Sequence, residues 1–386
     1  MYYLLLPFLT AYFAVTFFLG EYWLASTLVL MWIIAIPMDE IVGDNWARID
    51  EKRPFVLKAI LYAQLPTLAI VTVLLAYYLS DWTFLGPTIN AARGATEFWQ
   101  LAMALFAIGV FYGIAGINVA HELIHRNNRF AVWTGRWLLS FSLDTGFALE
   151  HLYGHHINVA TPKDPATAPR GMGFWTFFVR MLYQGNRNAW LIEKRFLEKR
   201  GQRVWSFHNR FITGQLMSLL WIVLFAAADG VRGVAIFIVL ALFGKLYLEI
   251  TNYIEHYGLV RVEGTRVEGR HAWNSSRRIS NWLLFNLPRH SDHHVRPNRN
   301  YWELEARTDA PQLPNGYFIM AAMSLFPPLF RKKMAERLVI WDRDYATPEE
   351  RALVAAMAGG AEKTGMSSAS TSAVMPPMRS RSRSGP

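Results

Sequence analysis

Six apolar stretches run through the first two thirds of the chain, and each is about as long as a membrane-spanning helix. Such a helix needs about 20 largely apolar residues. The stretches cover residues 2–20, 22–38, 55–79, 98–120, 210–228 and 232–256. Only Gly20-Glu21 separates the first pair, and only Asp229-Gly230 separates the last pair, so we expect tight turns at both places. The pattern predicts an all-α, polytopic membrane protein with six transmembrane helices.

Shorter apolar segments lie outside these stretches. Residues 131–150, 174–183 and 317–330 are too short or too polar to span a membrane, and residues 274–287 lead into a similar segment. We expect short helices that dip into the interface or pack on the bundle. Together they would form a helical cap at one end of the transmembrane helices.

The end of the chain has a different composition. From Gly359 onward it is rich in Ser, Met and Pro and closes on alternating Arg and Ser. Such a composition is typical of disordered segments. We therefore predict a membrane-embedded domain over residues 1–345 and a disordered tail or linker over residues 346–386.

The basic residues alternate between the predicted loops. Three lie in residues 39–54, one in residues 80–97 and thirteen in residues 121–210, and Arg232 stands alone between the fifth and sixth stretches. Cytoplasmic loops carry the excess of Lys and Arg. Both termini are therefore predicted to be cytoplasmic, and the ends of the fourth and sixth helices are predicted to reach the same, cytoplasmic side.

Composition supports this interpretation. Hydrophobic residues make up 53% of the chain and charged residues 18%, below the roughly 25% that is usual in soluble proteins. The absence of cysteine excludes thiolate ligands and iron–sulfur clusters within these residues. The formal charge of +10 is spread between apolar spans and not gathered in a basic domain, so we expect a lipid bilayer and no nucleic acid as partner.

Histidines mark the functional region. Only two of eleven, His208 and His271, fall outside four clusters at the ends of apolar segments. The clustered ones are His121, His125, His151, His155, His156, His256, His290, His293 and His294. His121 and His125 are four apart and so share one face of a helix. Polar side chains beside apolar spans are costly and usually functional, and this grouping predicts a metal site.

The number of histidines narrows the kind of site. A zinc protease, which His-Glu-x-x-His on a helix also suggests, needs only three protein ligands. Nine suit two ions with four or five nitrogen ligands each, and imidazole binds iron, copper, nickel or zinc. A metal transporter would place histidines along the spans, and here they stand at one end. Glu122, Glu150, Glu255 and Asp292 each adjoin a clustered histidine and are candidates to accept the second ring N–H of a ligand, or to pair with arginines.

Four motifs make the chain resemble the integral-membrane alkane 1-monooxygenases, within the histidine-rich membrane fatty acid desaturase and hydroxylase superfamily. They are His-Glu-Leu-Ile-His-Arg at 121–126, Glu-His-Leu-Tyr-Gly-His-His at 150–156, Asn-Tyr-Ile-Glu-His-Tyr-Gly-Leu at 252–259 and Leu-Pro-Arg-His-Ser-Asp-His-His-Val at 287–295. The third motif and the core of the fourth distinguish alkane hydroxylases from desaturases. Arg126, Pro288 and Val295 depart from the residues common in the family, and none of these changes removes a candidate ligand.

The resemblance implies a specific reaction. A di-iron centre (Fe²⁺/Fe³⁺) held by the nine histidines would use O2 to hydroxylate the terminal carbon of medium-chain n-alkanes to primary alcohols. Electrons would come from rubredoxin, either a separate protein or a fused domain outside these residues, reduced in turn by a flavin-dependent rubredoxin reductase. The implied location is the bacterial inner membrane, with the active site on the cytoplasmic side. A fatty-acyl desaturase or hydroxylase, or a xylene-type methyl hydroxylase, is the alternative within the superfamily.

Overall fold

The computed structural model describes residues 2–47 and 53–363, and every regular element in these ranges is helical. The helices are α1 Leu5–Leu19, α2 Glu21–Ile41, α3 Pro54–Leu79, α4 Pro87–Ala95, α5 Phe98–Ile124, α6 Arg129–Ser140, α7 over residues 147–158, α8 Phe174–Lys199, α9 Arg210–His256, α10 Arg278–Leu283, α11 His290–Val295, α12 Tyr317–Ser324, α13 Pro327–Asp344 and α14 Pro348–Lys363. The predicted all-α class is confirmed.

Five of these helices are long and apolar enough to cross a membrane: α1 with its leading turn, α2, α3, α5 and α9. Helix α9 is broken at Asp229 and Gly230, and Gly230 has a positive φ of 55°. The rings of Phe225 and Phe237 lie 5.1 Å apart, whereas twelve residues of straight helix would separate them by about 18 Å. The chain therefore turns back on itself at the predicted break. Six crossings, and their orientation, stay predictions.

Helices α5 and α9 pack closely because α5 carries glycines at the contact. A Cβ added at Gly109 would lie 2.6 Å from the Cβ of Phe243, and one added at Gly113 would lie 2.7 Å from the Cβ of Tyr247. Small residues let two helices approach in this way. The contact holds the ends of both helices, and the histidines on them, beside each other.

Charged side chains inside the bundle are paired. The Lys245 ammonium lies 2.6 Å from Asp144 Oδ2 and 2.8 Å from Glu249 Oε1, and all three side chains are buried. Pairing is expected here, because an isolated charge in an apolar bundle is costly. These ion pairs link α9 to the turn after α6.

The predicted short segments form helices, and two of them are longer than expected. Segment 131–150 is divided between α6, which ends at Ser140, and the start of α7; segment 174–183 begins α8, which extends to Lys199; and segment 317–330 forms α12 and the first turn of α13. The prediction of a disordered tail from residue 346 is wrong for α14, which packs through the buried Glu350. The rest of the predicted tail, residues 364–386, lies outside the described residues.

Candidate metal centre

The nine clustered histidines come from four elements and meet at the end of the bundle. His121 and His125 close α5, His256 closes α9, and α7 and α11 supply three each. Eight are buried, and His156 is half-buried. They form two groups, in each of which the available ligand atoms all lie within 4.8 Å of one another. One group contains His121, His125, His151, His156 and His293, and the other contains His155, His256, His290 and His294.

In the five-histidine group the Nε2 atoms converge. His121 Nε2 is 3.0 Å from His293 Nε2, and His125 Nε2 is 3.0 Å from His151 Nε2. His156 Nε2 lies 2.9 Å from His151 Nε2 and 3.2 Å from His293 Nε2. The ring nitrogens of this group therefore surround one central point.

The four-histidine group has the same geometry. His290 Nε2 lies 3.0 Å from His256 Nε2 and 2.9 Å from His294 Nε2, and His294 Nε2 is 3.3 Å from His155 Nε2. Nitrogens bound to one ion at about 2.1 Å are themselves about 3 Å apart. The donor set in both groups therefore fits an imidazole-bound metal ion.

A π-helical turn separates the histidines of α7. His151–His155 forms a π-helix, whose hydrogen bonds close over five residues and not four. His151 and His156, five apart, therefore face the same group, with ring centroids 4.5 Å apart. His155 belongs to the other group although it is the sequence neighbour of His156. A regular α-helix would not have indicated this division.

Burial keeps most of these rings neutral. Desolvation, followed by the neighbouring histidines, holds the pKa of His151, His156 and His293 well below the usual range, and the same causes act on His290 and His294. A neutral imidazole has the free lone pair that a metal ion needs. The exception is His155: burial lowers its pKa, but the carboxylates of Asp164, Glu150 and Glu249 together outweigh that effect and raise it.

Asp164 is a candidate site residue that the sequence analysis missed. Its Oδ2 lies 2.9 Å from Nδ1 of His155 and accepts the hydroxyl hydrogen bond of Thr167 at 2.6 Å, and the side chain is buried. A carboxylate on the second ring nitrogen orients a ligating histidine and fixes its tautomer. Asp164 stands nine residues after His155 in a Lys-Asp-Pro turn, where no local pattern distinguishes it from a surface acid.

Of the four predicted acids, Glu255 reaches a histidine most directly. Its Oε2 lies 3.2 Å from His290 Nε2, on the side of the ring that faces the group, and its Oε1 accepts a hydrogen bond from the Tyr317 hydroxyl at 2.9 Å. The sequence analysis did not identify Tyr317 as a neighbour of the site. The buried Glu150 has an Oε1 without a hydrogen-bond partner in the described residues.

The other two acids bond to arginines, the alternative that the sequence left open. Glu122 pairs with Arg126 and accepts the backbone N–H of Tyr301 at 3.0 Å. Asp292 pairs with Arg296 and lies 3.8 Å from Arg307. These pairs fix the segments that carry the first and last histidine motifs.

The two histidines outside the clusters differ from each other. His208 is exposed in the loop before α9, as expected of a polar surface residue. His271 is fully buried, yet neither ring nitrogen faces a histidine group: Nδ1 lies 3.0 Å from the Glu268 backbone nitrogen and Nε2 lies 2.8 Å from Glu350.

Two cavities reach the centre. A small one, of about 20 Å³, lies between α5 and α9 and is lined by Ile117, Phe147, Tyr247 and Leu248 together with His121, His151 and His290. A larger cavity of about 420 Å³ reaches His125 and His156 and includes Arg126, Arg136 and Arg210 in its lining. The smaller cavity thus brings apolar side chains to the histidines from the bundle, and the larger one reaches them from a basic face.

This combination defines a class of protein: a helical membrane protein with a buried, histidine-rich site for metal. Comparison with known proteins agrees with it. The family model for fatty acid desaturase matches residues 97–322. Alkane 1-monooxygenase 1 of Pseudomonas aeruginosa is 35% identical over 350 residues, which cover 86% of this chain and 87% of that protein.

Two further relatives have a higher and a lower identity to this chain. Alkane 1-monooxygenase 2 of Alcanivorax borkumensis is 40% identical over 239 residues, 61% of this chain and 63% of that protein. The xylene/toluene monooxygenase hydroxylase component of Pseudomonas putida is 29% identical over 361 residues, 92% of this chain and 93% of that protein. The chain belongs to the fatty acid desaturase family and, within it, to the alkane 1-monooxygenases.

Proposed function

We propose that this chain hydroxylates the terminal carbon of medium-chain n-alkanes with O2, at two iron ions held by the five-histidine and four-histidine groups. The observation that carries the proposal is the division of nine converging imidazoles into two groups at the end of an apolar cavity. An iron pair would supply the oxidising chemistry, which zinc cannot supply because it has no redox chemistry. One oxygen atom of O2 enters the alcohol, and the other leaves as water after uptake of two electrons and two protons.

The residues of the chain have distinct parts in this reaction. Ile117, Phe147 and Leu248 form an apolar wall that binds an alkane by excluding water, at roughly 0.8 kcal/mol per buried methylene. His121, His151 and His290 line the same cavity, so the end of an alkane packed on this wall would lie beside both histidine groups. Asp164 and the backbone carbonyl of His271 hold the Nδ1 side of His155 and His256, which leaves Nε2 of each for metal.

For the electron supply we propose rubredoxin, reduced by a flavin-dependent reductase, that approaches the basic cytoplasmic side. The larger cavity, of about 420 Å³, reaches His125 and His156 and has three arginines in its lining. Rubredoxins are typically acidic, and complementary charge raises the rate of encounter. In this proposal the protein lies in the bacterial inner membrane with both termini in the cytoplasm.

The test begins with metal content. Elemental mass spectrometry of detergent-purified protein should find two irons per chain, and the iron-loaded protein should convert octane to 1-octanol when given NADH, reductase and rubredoxin. One zinc per chain, with no hydroxylation after ferrous reconstitution, would refute the proposal and favour a hydrolytic zinc site.

The same assay separates the alternatives within the family. The likeness to the xylene/toluene enzyme extends over nearly the whole chain, so p-xylene is the competing substrate to include. Faster turnover of p-xylene than of octane would reassign the substrate to a methylarene. A double bond introduced into a fatty-acyl substrate would reassign the reaction to desaturation.

A further inference from the structure

His271 is buried beside the centre without belonging to either histidine group. The backbone N–H of Glu268 donates to its Nδ1 at 3.0 Å, so Nδ1 carries no hydrogen. The ring hydrogen is therefore on Nε2, which donates to Glu350 Oε1 at 2.8 Å. Both nitrogens are engaged, so His271 has no lone pair left for a metal ion and its ring position is defined from two sides.

The backbone carbonyl of His271 faces a member of the four-histidine group. It lies 3.2 Å from Nδ1 of His256 and accepts the hydrogen of that nitrogen. His256 consequently has its free lone pair on Nε2, which lies 3.0 Å from Nε2 of His290. A carbonyl in this position sets both the tautomer and the rotation of a ligating ring.

The loop that carries this carbonyl is attached to the last turn of α9. The backbone N–H of Trp273 donates to the carbonyl of Glu255 at 2.8 Å, and its indole N–H donates to the carbonyl of Tyr257 at 3.0 Å. The residues on both sides of His256 are thus bonded to the loop. A shift of His271 would be passed to His256 over a single hydrogen bond.

Glu350, on the C-terminal helix α14, holds the other side of the loop. Its carboxylate is buried and has three donors: Nε2 of His271, Nε of Arg270 at 3.1 Å and the backbone N–H of Thr347 at 2.9 Å. The indole N–H of Trp341 donates to the carbonyl of Arg270 at 2.7 Å and ties α13 to the same loop. Removing the carboxylate would leave buried donors unpaired, the situation in which a hydrogen-bonded group shifts or opens.

We propose that Glu350 is a positioning residue for the metal centre: through His271 it sets the orientation of His256 in the four-histidine group. This inference rests on the proposed metal site. It gives the C-terminal helix a part in a centre whose ligands all lie at least 56 residues earlier in the chain, since Glu350 follows His294. Loss of a hydrogen-bond partner of a ligating histidine typically weakens metal binding about 10- to 100-fold. Glu350 acts on His256 through His271, so we expect the smaller effect, about 10-fold.

The test compares three variants of the full-length protein loaded with ⁵⁷Fe. Glu350→Ala removes the acceptor, Glu350→Gln keeps an oxygen at the same distance, and Glu349→Ala removes an exposed carboxylate from the same helix. Mössbauer spectra should show one of two iron signals altered in Glu350→Ala and both unchanged in the Gln and Glu349 variants. Chelator challenge should release that iron about 10-fold faster from Glu350→Ala.

Should the Ala variant fail to fold, Glu350→Asp carries the test, because it keeps the charge for Arg270 but draws the carboxylate back from His271. It should alter the same iron signal. Unchanged spectra and unchanged iron release in a folded Ala or Asp variant would overturn the inference and leave the metal site intact. Wild-type protein that binds no iron would refute the proposed function itself, so the two failures are distinguishable.

Discussion

The contact between Asp164 and His155 gives the sharpest test of how the centre is held. Asp164→Ala removes the acceptor for His155 Nδ1–H, for the Thr167 hydroxyl at 2.6 Å and for the Ala166 backbone N–H at 3.0 Å. Each buried donor left unpaired costs about 1–3 kcal/mol of folding free energy. Loss of the carboxylate from a ligating histidine costs about 10- to 100-fold in metal affinity, or about 1.4–2.8 kcal/mol. The variant should therefore both unfold at lower temperature and lose iron more readily.

The measurement is iron retained per chain after a timed chelator challenge, alongside thermal unfolding in the same detergent. Glu263→Ala is the matched control, because Glu263 is a half-exposed acid paired with Lys163, the neighbour of Asp164, and touches no histidine. Asp164→Asn keeps one acceptor oxygen and should be intermediate. Equal iron retention by Asp164→Ala and wild type would refute the view that this carboxylate orients His155.

Three further outcomes are expected. His256→Ala should abolish turnover and lower iron content, whereas His208→Ala, at an exposed position, should do neither; full activity of the first variant would remove His256 from the ligand set. Gly113→Ala should lower the free energy of unfolding by about 1–3 kcal/mol and shift turnover toward shorter alkanes, because the new methyl meets the buried Tyr247 at 2.7 Å beside the apolar cavity. Gly94→Ala is the control, because its new methyl meets nothing within 4 Å. Thermal unfolding and product chromatography should show no change in the control. Burial raises the folded pKa of Glu350, but its hydrogen bonds outweigh burial and lower that pKa. The stability that Glu350 contributes is therefore present above its unfolded pKa and is lost as the pH falls through its folded pKa. The thermal unfolding temperature should decline more steeply from pH 6 to pH 3 in wild type than in Glu350→Gln.

Local pattern was sufficient for the long apolar helices and for the histidine-rich metal site. Apolar length predicts a membrane helix because a buried backbone must satisfy its own hydrogen bonds, and each predicted span lies within an observed helix except for Gly20 at the end of the first. Asp229-Gly230 marked the reversal of α9 because an acid followed by glycine interrupts an otherwise apolar run. The nine histidines were identifiable because a polar ring beside an apolar segment costs free energy and usually has a function.

Tertiary structure alone decided how these histidines are divided and what holds them. His155 meets His294, 139 residues away, and a π-helical turn directs His155 and His156 to different groups. Asp164 and Glu350 stand in segments that look like an ordinary turn and a disordered tail. Their roles depend on burial against distant partners, because a carboxylate becomes part of a metal site only when folding removes it from water and presents an N–H to it, and neither condition can be deduced from neighbouring residues.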